Sequence, residues 1–567
     1  MILLVFVLTS LAIAPAVSFD PFNPPKLLIL ATFSGAILGL IVLLFNKEFL
    51  KRYLGPIIFS LLLIFSIGIS TLLSNQDFAT TFYGVGGRNT GILAYGSLII
   101  LFLASVITSS EDFTLKLAKS VGFVGIITIL YSWLQILNLD PYPWSQESWI
   151  MSFFANPNFV SSFLGMSTAP AFAFVFETKK FNLKKYLYLI YIILCILTIK
   201  ETESIQGFIV TGIVFASVIY LKLNSAEKFF KLRKPYMFLV FFIFFWLVLD
   251  ILQKTPGESI LYKASVSSRG DFWRAAWQMG LDKPYFGWGL DSLRDRFTLY
   301  RDYDQAVRGE GHQLGEIAHN VFLDLLVGGG FILLIIYILL LIYTFYKVKS
   351  FILQPSQYKI GFVAVFSIFV SYIAQSVISA NQLGLAVLGW ICLGALVGYK
   401  KIDLETSDLI STRIKSTNTK SLGKGSRSRR VVSLSLSFGM IIGFLFAFPL
   451  YNTNVKQQTA ANNKNADQYL AAALTWPRDS VRMSLLAERL ISGGYYSHAS
   501  TVLNEALKVT PYSAIPLKVM LAFPSLDQDS KDNILQKIKL LDPYYIESIA
   551  VARELKINLD YHVADKS

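Results

Sequence analysis

Long apolar runs alternate with short polar connections along most of the chain. A helical run of about 20 apolar residues matches the hydrocarbon thickness of a bilayer, and hydropathy predicts roughly thirteen such spans. The predicted spans are residues 1–18, 26–46, 54–74, 91–108, 118–137, 159–176, 185–200, 204–221, 236–252, 321–346, 359–378, 383–399 and 431–450. The pattern predicts an all-α fold built on a polytopic bundle of membrane helices.

One long polar segment, residues 253–320, interrupts this alternation. It contains two of the four histidines, His312 and His319, among many Arg, Asp and Trp residues. It is the only long polar insertion among the apolar runs, so the candidate chemistry is expected there.

The chain changes character after the last span. Residues 453–567 are polar and helical in pattern, and Pro477, Pro511 and Pro543 follow one another at intervals of about 34 and 32 residues. The segment Val481–Pro511 resembles a tetratricopeptide repeat, a stacked helix pair whose groove can hold a partner. The sequence therefore predicts a membrane domain over residues 1–452 and a C-terminal helical-repeat domain whose groove is a candidate site for a protein partner.

Composition and charge support a membrane protein and orient it. Hydrophobic residues make up 54% of the 567 residues and charged residues 16%. The net charge of +14 suggests nucleic acid at first, but the Lys and Arg of the short connections lie on alternate loops, about 25 against 2, so no nucleic-acid partner is expected. Positive residues mark the loops at 47–52, 179–185, 222–234 and 347–359 and the linker 400–430 as cytoplasmic.

This orientation predicts an inner-membrane protein with a cytoplasmic N-terminus. The long loop and the C-terminal domain then lie outside the cytoplasm. The first span resembles a signal peptide but lacks a basic n-region, which favours a retained helix. Cys195 and Cys392 lie inside apolar runs and are expected to be small buried hydrophobes.

Two other external loops carry distinctive residues. Residues 75–90 include FYGVGGRN, whose glycines suit a tight backbone around Arg88. Residues 138–158 are rich in Trp, Tyr and Pro, which favours a short helix or re-entrant piece at the membrane interface; an aromatic belt without functional contact is the alternative.

The first half of the long loop predicts a helix that begins at Ser268. Ser268 and Asp271 fit a capping box, and Arg269, Trp273 and Trp277 then share one stripe of the helix. Arg274 lies close to Asp271, and an ion pair between the two is the alternative to a role in substrate binding. Pro284 is expected to end the helix.

The second half of the loop predicts a helix that starts near His312 and continues into the next span. His312, Glu316 and His319 would share one face, with Asn320 adjacent. These residues also suggest a zinc site, but a separation of seven residues spans about 10 Å along a helix, which argues against one shared ion.

Together these residues predict a site at the membrane surface for a phosphate-bearing lipid. Arginine suits bidentate contact with phosphate oxygens, and histidine is the side chain best matched to accept a hydroxyl proton near neutral pH. Two structural interpretations stay open: Arg269 only extends to lipid headgroups, or His319 is a hydrogen-bonded residue at a helix start.

The order of these motifs resembles the O-antigen ligase and polysaccharide polymerase superfamily of the bacterial envelope, over most of residues 26–400. The resemblance rests on an Arg-x-x-x-Trp-x-x-x-Trp segment, a Pro-x-x-Gly-x-Gly turn, a His-Asn pair before a span, a Gly-Arg-x-x-Gly loop and a Pro-Asn before another span. Here the matching residues are Arg269, Trp273, Trp277, Pro284, Gly287, Gly289, His319, Asn320, Leu323, Gly330, Gly87, Arg88, Gly91, Pro157 and Asn158.

The resemblance implies a metal-independent, inverting glycosyltransferase with a C-type glycosyltransferase-like fold and a core over about residues 200–400. The donor would be a glycan on undecaprenyl pyrophosphate, as in lipopolysaccharide and related envelope polysaccharides, and the acceptor a hydroxyl on a lipid, a sugar or a protein. By the same resemblance, His319 would be the base and Arg269 would hold the pyrophosphate, with Arg88 as a further cation. No cofactor is implied.

One departure from the family pattern affects donor binding. Many members carry an arginine in a Thr-x-Ser-Arg-Gly segment, whereas this chain has Gln206 at that place. Glutamine can hydrogen-bond a phosphate but cannot neutralise it, so Arg88 or Arg274 would take over.

Three other functions stay open at this stage. A polysaccharide polymerase would share the site and differ only in its acceptor. An anion transporter would need ionisable residues deep in the spans and helices broken at mid-membrane. A non-catalytic scaffold would use the repeat domain and tolerate loss of His319.

Overall fold

In the computed structural model, all regular secondary structure among the described residues is helical. The described residues are 1–142, 144, 150–178, 181–225, 227–251, 264–307, 315, 317–353, 358–399 and 425–554. Within these ranges there are helices, turns and bends, and no β-strand. This confirms the predicted all-α class.

Among its described residues, the membrane part has nineteen α-helices, numbered here in chain order. They are α1 (Ile2–Leu11), α2 (Asn23–Leu44), α3 (Lys47–Arg52), α4 (Leu54–Leu73), α5 (Phe78–Tyr83), α6 (Ile92–Thr108), α7 (Glu111–Ile136), α8 (Pro157–Ser167), α9 (Ala169–Glu177), α10 (Leu183–Glu201), α11 (Ile205–Ser225), α12 (Arg233–Ile251), α13 (Ala264–Asp282), α14 (Leu293–Tyr300), α15 (Tyr303–Val307), α16 (Val321–Leu353), α17 (Ile360–Ser376), α18 (Leu383–Gly398) and α19 (Gly425–Asn463).

Each predicted span coincides with one of these helices or with the pair α8 and α9. Seven helical segments in the described part are long and apolar enough to cross a membrane, namely α2, α4, α7, the α8–α9 pair, α11, α16 and α19. Four shorter apolar helices accompany them: α1, α6, α17 and α18. The chain is therefore a multi-pass helical membrane protein, and the full count of thirteen spans stays a prediction.

The first helix is shorter than the predicted span. α1 has ten residues, which reach about 15 Å at 1.5 Å per residue, half the thickness of a hydrocarbon core. Its last turn packs on Lys26, whose Nζ donates to the carbonyl oxygens of Thr9, Ser10 and Ala12 at 2.9, 2.9 and 3.0 Å. A cation at a helix C-terminus satisfies carbonyl groups that have no partner in the helix.

α19 joins the membrane part to the C-terminal part by packing closely against α2. A Cβ at Gly35 would lie 2.2 Å from the carbonyl oxygen of Gly439, and a Cβ at Gly443 would lie 2.1 Å from that of Ala31. Small residues let membrane helices approach at backbone contact. With 39 residues, α19 extends about 58 Å, so it continues beyond the bundle into the C-terminal helices.

The connections predicted to be external meet at one end of the bundle. Asn23 Nδ2 donates to the carbonyl oxygen of Gly87 at 2.8 Å, and Asn381 Nδ2 donates to Tyr95 Oη at 3.2 Å. The backbone N–H of Asp20 donates to Asn454 Oδ1 at 3.3 Å. These contacts join loops that the alternation of spans places on the same side. The assignment of that side to the exterior stays a prediction from charge.

α16 is broken where the loop docks against it. Gly330 has φ 67° and ψ −171°, outside the helical region, and a Cβ there would lie 2.4 Å from the backbone of Tyr285. The turn 284–289 supplies the hydrogen bonds that the break removes. The N–H of Trp288 donates to Val327 at 2.8 Å, and that of Phe331 donates to Pro284 at 2.7 Å. The Pro-x-x-Gly-x-Gly turn is thus locked onto the helix that follows His319.

The C-terminal part is a small helical unit with its own core. Its helices are α20 (Ala466–Leu474), α21 (Ser480–Ser492), α22 (Tyr496–Val509), α23 (Ile515–Met520), α24 (Gln528–Leu541) and α25 (Tyr545–Glu554). α21 and α22 pair across the turn at Gly494, with Leu486, Leu490, Val502 and Leu503 buried between them. This pairing agrees with the helical pattern of the sequence, while a tetratricopeptide-repeat identity stays a prediction.

Candidate active site

His319 lies in a short non-helical segment directly before α16. Its φ of 51° is the left-handed conformation, and residues 317–320 are not helical. The prediction of a continuous helix from His312 is therefore wrong over these residues, because α16 begins only at Val321. Asn320 begins the helix instead: its Oδ1 accepts from the N–H groups of Phe322 and Leu323 at 3.0 and 3.2 Å, as an N-cap residue does.

A carboxylate inside α16 holds the backbone beside His319. Asp324 Oδ1 accepts from the N–H of Ala318 at 2.9 Å. A left-handed conformation is costly for a residue with a Cβ and persists when the surroundings enforce it. Asp324 from one side and the Asn320 cap from the other therefore fix the place of the imidazole.

α13 brings Arg269 to the same place. The helix begins at Ala264, four residues before the start predicted at Ser268, and it ends at Asp282 before Pro284 as predicted. Phe272, one turn after Arg269, stacks on the ring of His319 with centroids 5.8 Å apart and planes at 26°. Arg269 and Phe272 lie on one face of α13, so the arginine faces the histidine.

The Arg88 turn, residues 84–91, completes the site and is held by Asp291. Asp291 Oδ2 accepts from the N–H groups of Val85 and Thr90 at 3.2 and 3.1 Å. Its Oδ1 accepts from Thr90 Oγ1 at 2.7 Å. Gly84 has φ 81°, and a Cβ there would lie 2.3 Å from the carboxylate, so the turn closes tightly around Asp291 as its glycines predicted.

The side chains of His319, Arg88 and Arg269 influence one another electrostatically. Burial and the positive charges of Arg88 and Arg269 lower the pKa of His319 from 6.5 to about 3. Burial also lowers the pKa of Arg269 below its ordinary value, and burial raises that of Asp291. The site therefore pairs a neutral imidazole with two cations, an arrangement that favours an anionic ligand.

Other predicted residues lie around this centre with structural partners of their own. Arg274 bridges Asp271 at 2.5 Å and Asp302 at 2.7 Å and is half exposed. This is the pairing with Asp271 that the sequence suggested, extended by Asp302. Trp273 packs beside Phe272 in the small core under the loop.

Gln206 lies at the start of α11 with 5% of its surface exposed. Within the described part of the chain, neither of its amide atoms has a hydrogen-bond partner. An unsatisfied buried amide calls for an explanation, and a bound ligand is one of the usual ones. Its predicted role at the donor stays a prediction.

His312 and Glu316, predicted to contribute to substrate binding, lie outside the described residues. The shared helical face that also suggested zinc does not extend through residues 317–320. Within the described ranges, His, Cys, Asp and Glu form no group of three or more suited to a metal ion.

The two carboxylates that position the site were not identified from the sequence. Asp324 was detectable in principle, because an acidic residue in an apolar span is a functional candidate. Asp291 gave no comparable signal, since it stands among the many charged residues of a polar loop.

Comparison with known proteins gives two matches. Residues 187–338, which include Arg269 and His319, match the family described as O-Antigen ligase. The chain is also 26% identical over 348 residues to the ComP-specific O-oligosaccharyltransferase of Acinetobacter baylyi. That alignment covers 56% of this chain and 58% of the relative, so the chain spans little more than half of the relative's length. Both matches support glycan transfer by an O-antigen ligase-like enzyme.

Proposed function

We propose that the protein transfers a glycan from an undecaprenyl-pyrophosphate-linked donor to a hydroxyl acceptor at the outer face of the membrane. The observation that supports this proposal is the buried imidazole of His319, which stacks on Phe272 of α13 and is influenced by the positive charges of Arg88 and Arg269, where the loops meet at one end of the bundle. A lipid-linked donor reaches such a position from the bilayer, and its pyrophosphate is the anion that the two arginines fit.

The reaction is a single displacement at the anomeric carbon. The acceptor oxygen forms the new bond to that carbon while the bond to the pyrophosphate oxygen breaks. The acceptor proton passes to a ring nitrogen of His319 as general base. Negative charge develops on the leaving pyrophosphate, where Arg269 and Arg88 stabilise it. One displacement inverts the anomeric configuration, as the resemblance to the superfamily implied.

The low pKa of His319 makes the base depend on the donor. Without a donor, burial and the charges of the two arginines keep the imidazole neutral but weakly basic. A bound pyrophosphate adds negative charge beside the ring and offsets the arginines, so the pKa of His319 rises toward its ordinary value. The histidine then becomes an effective base only once the donor is present, which disfavours proton abstraction without a donor.

The alternatives are weighed by what they need. An anion transporter needs broken helices with ionisable residues at mid-membrane. α16 is broken at Gly330, but the turn 284–289 fills the break, and Asp324 lies in the first turn of that helix near the loops. A polymerase of the same fold uses this site without change. A non-catalytic scaffold gives no reason for a buried histidine held in a left-handed conformation near the charges of two arginines.

Transfer assays on purified protein with a lipid-linked glycan donor test the proposal. We expect His319→Ala and Arg269→Ala to abolish transfer without changing protein abundance. His498→Ala in the C-terminal unit and Arg52→Ala at the end of α3, in a connection predicted to be cytoplasmic, serve as matched controls and should keep full activity. Full activity of both site variants would refute the proposal. In cells, deletion of the gene should leave one glycan on its lipid carrier.

A further inference from the structure

The C-terminal unit folds back onto the loop that builds the site. α14 lies between the two parts, and its residues 293–298 are buried. α14 and Arg301, which follows it, contact two carboxylates and one backbone carbonyl of the C-terminal unit, those of Asp479, Asp542 and Leu541, about 185 to 245 residues later in the chain. This interface was not expected from the sequence, which suggested an open groove for a partner.

The first anchor of this interface is a buried ion pair at the end of α14. Arg301 Nη2 donates to Asp542 Oδ1 and Oδ2 at 2.7 and 2.9 Å, and its Nε donates to Oδ1 at 3.1 Å. Lys518 Nζ donates to the same carboxylate at 2.7 Å. The side chain of Asp542 is fully buried and that of Arg301 is 4% exposed. Asp542 thus joins a cation of its own unit to a cation of the loop.

The second anchor contacts both halves of the site. Asp479 Oδ2 accepts from Nη2 of Arg294 in the first turn of α14 at 2.8 Å, and from the N–H of Gly86 in the Arg88 turn at 3.4 Å. Its Oδ1 caps α21 by accepting from the N–H of Arg482 at 2.9 Å. Burial raises the pKa of Asp479, but Arg294, the cap and Arg482 outweigh this and lower it to about 2. The carboxylate is therefore charged at every physiological pH.

Two further contacts define the register of α14. The guanidinium of Arg296 stacks over the ring of Tyr512 at 3.5 Å and faces Trp288 at 4.9 Å. Thr298 Oγ1 donates to the carbonyl oxygen of Leu541 at 3.0 Å. Trp288 belongs to the turn 284–289, which packs against the break in α16 at Gly330. The interface therefore continues to the helix that directly follows His319.

Buried ion pairs are poor sources of net stability, because desolvation offsets much of their attraction, and they are best attested as devices that specify register. The bidentate fork of Arg301 on Asp542 fixes orientation as well as distance. Apolar residues would stabilise an interface without the desolvation cost of buried charges. Asp479 joins the C-terminal unit to the Arg88 turn. Asp542 joins it to the end of α14, whose Phe297 packs edge-on against Phe272, the ring that stacks on His319, with centroids 5.3 Å apart.

We propose that the C-terminal unit is a clamp for the site, with Asp479 and Asp542 as positioning residues that fix the Arg88 turn relative to the loop of Arg269 and His319. This proposal rests on the proposed function for its effect on transfer. Its structural part stands separately: loss of either carboxylate should loosen the Arg88 turn or α14 while the membrane bundle stays intact.

Hydrogen–deuterium exchange on the full-length protein in detergent tests the structural part without any assay of activity. In Asp479→Asn, we expect exchange at residues 84–91 to accelerate at least fivefold. In Asp542→Asn, the same change is expected at residues 293–301. Exchange within α17 should stay unchanged in both, which separates a local release from global unfolding. Glu505→Gln, which removes a charge from the more exposed pair with Arg478, is the matched control.

Transfer kinetics test the functional part. Both asparagine variants should lower kcat at least tenfold, and Asp542→Glu, which keeps the charge, should restore most of it. Thr298→Val removes only one hydrogen bond and covers the case in which Asp542→Asn fails to fold. It should still accelerate exchange at residues 293–301 and lower kcat about twofold to fivefold.

The proposal is overturned if both asparagine variants exchange and transfer like the wild type. It is equally overturned if exchange accelerates uniformly, α17 included, because that marks a general stabilising role. If the wild type itself transfers no glycan, the proposed function fails, and the exchange data still decide whether the clamp exists.

Discussion

The strongest single prediction concerns Asp291, because one side chain holds the turn of Arg88. Replacement by alanine removes the acceptor for two backbone N–H groups, those of Val85 and Thr90, and for the hydroxyl of Thr90. The N–H groups of Val85 and Thr90 then have to bond to water, or the backbone between Gly84 and Gly91 has to rearrange. Arg88 moves with it, while Arg269 and His319 stay on their own elements.

The expected magnitude follows from the three lost hydrogen bonds. An unpartnered donor away from water costs about 1–3 kcal/mol. Asp291 is only half-buried, so water recovers part of this, and a total on the order of 3–5 kcal/mol is expected. If about 3 kcal/mol of it appears as misplacement of Arg88 in the transition state, transfer slows about 100-fold. Asp291→Asn, which keeps one acceptor oxygen, should lose about tenfold, and Thr90→Val less still.

Transfer rates and melting temperatures measured on the same preparations test whether Asp291 holds the Arg88 turn. The order of rates should be wild type, Thr90→Val, Asp291→Asn and Asp291→Ala, with melting temperatures spread over a few degrees. Asp112→Ala, which breaks an exposed pair with Lys116, is the control for loss of an aspartate. A wild-type rate for Asp291→Ala would refute the reasoning, since it would show that the Arg88 turn is either held by other contacts or irrelevant to transfer.

Three further predictions follow from the same geometry. The folded state lowers the pKa of His319 from 6.5 to about 3. The neutral histidine therefore contributes fully to stability above about pH 6.5, and this contribution is lost as pH falls toward 3, by at most about 5 kcal/mol. Between pH 7 and pH 4.5, the melting temperature of His319→Gln should fall less than that of the wild type, and an equal fall would contradict this. Gly330→Ala forces a Cβ to within 2.4 Å of Tyr285 at positive φ and should lower the melting temperature by several degrees and reduce transfer, whereas Gly122→Ala, with open space around it, should do neither. Gln206→Leu removes a buried amide without a partner in the described part, so it should leave stability unchanged or higher but raise the KM for the lipid-linked donor; an unchanged KM would exclude Gln206 from donor binding.

Much of the architecture was readable from one-dimensional patterns. Apolar runs long enough to span a bilayer gave the positions of the membrane helices, since a lipid-exposed backbone has to satisfy its hydrogen bonds within helices. Pro284 gave the end of α13, and the glycines around Arg88 predicted the tight turn. Arg88, Arg269 and His319 were chosen from their chemistry and from a family resemblance, and the structure brings them together at one end of the bundle.

The sequence failed where local signals compete with tertiary contacts. Ser268 and Asp271 fit a capping box, yet α13 starts at Ala264. The segment before α16 looked helical, yet Asp324 and the Asn320 cap hold residues 317–320 in another conformation. Capping motifs and periodicity report local preference, and long-range hydrogen bonds outweigh differences of this size.

Taken alone, the sequence determined which segments are helical and apolar and which polar loops can meet on one side of a membrane, because hydropathy and span length act locally along the chain. Only the tertiary structure decided that Asp291 holds the Arg88 turn, that the turn 284–289 fills the break at Gly330, and that the C-terminal unit grips α14 through Asp542. Each of these joins residues tens to hundreds of positions apart. Such pairings depend on how helices pack in three dimensions, and no periodicity or composition encodes them.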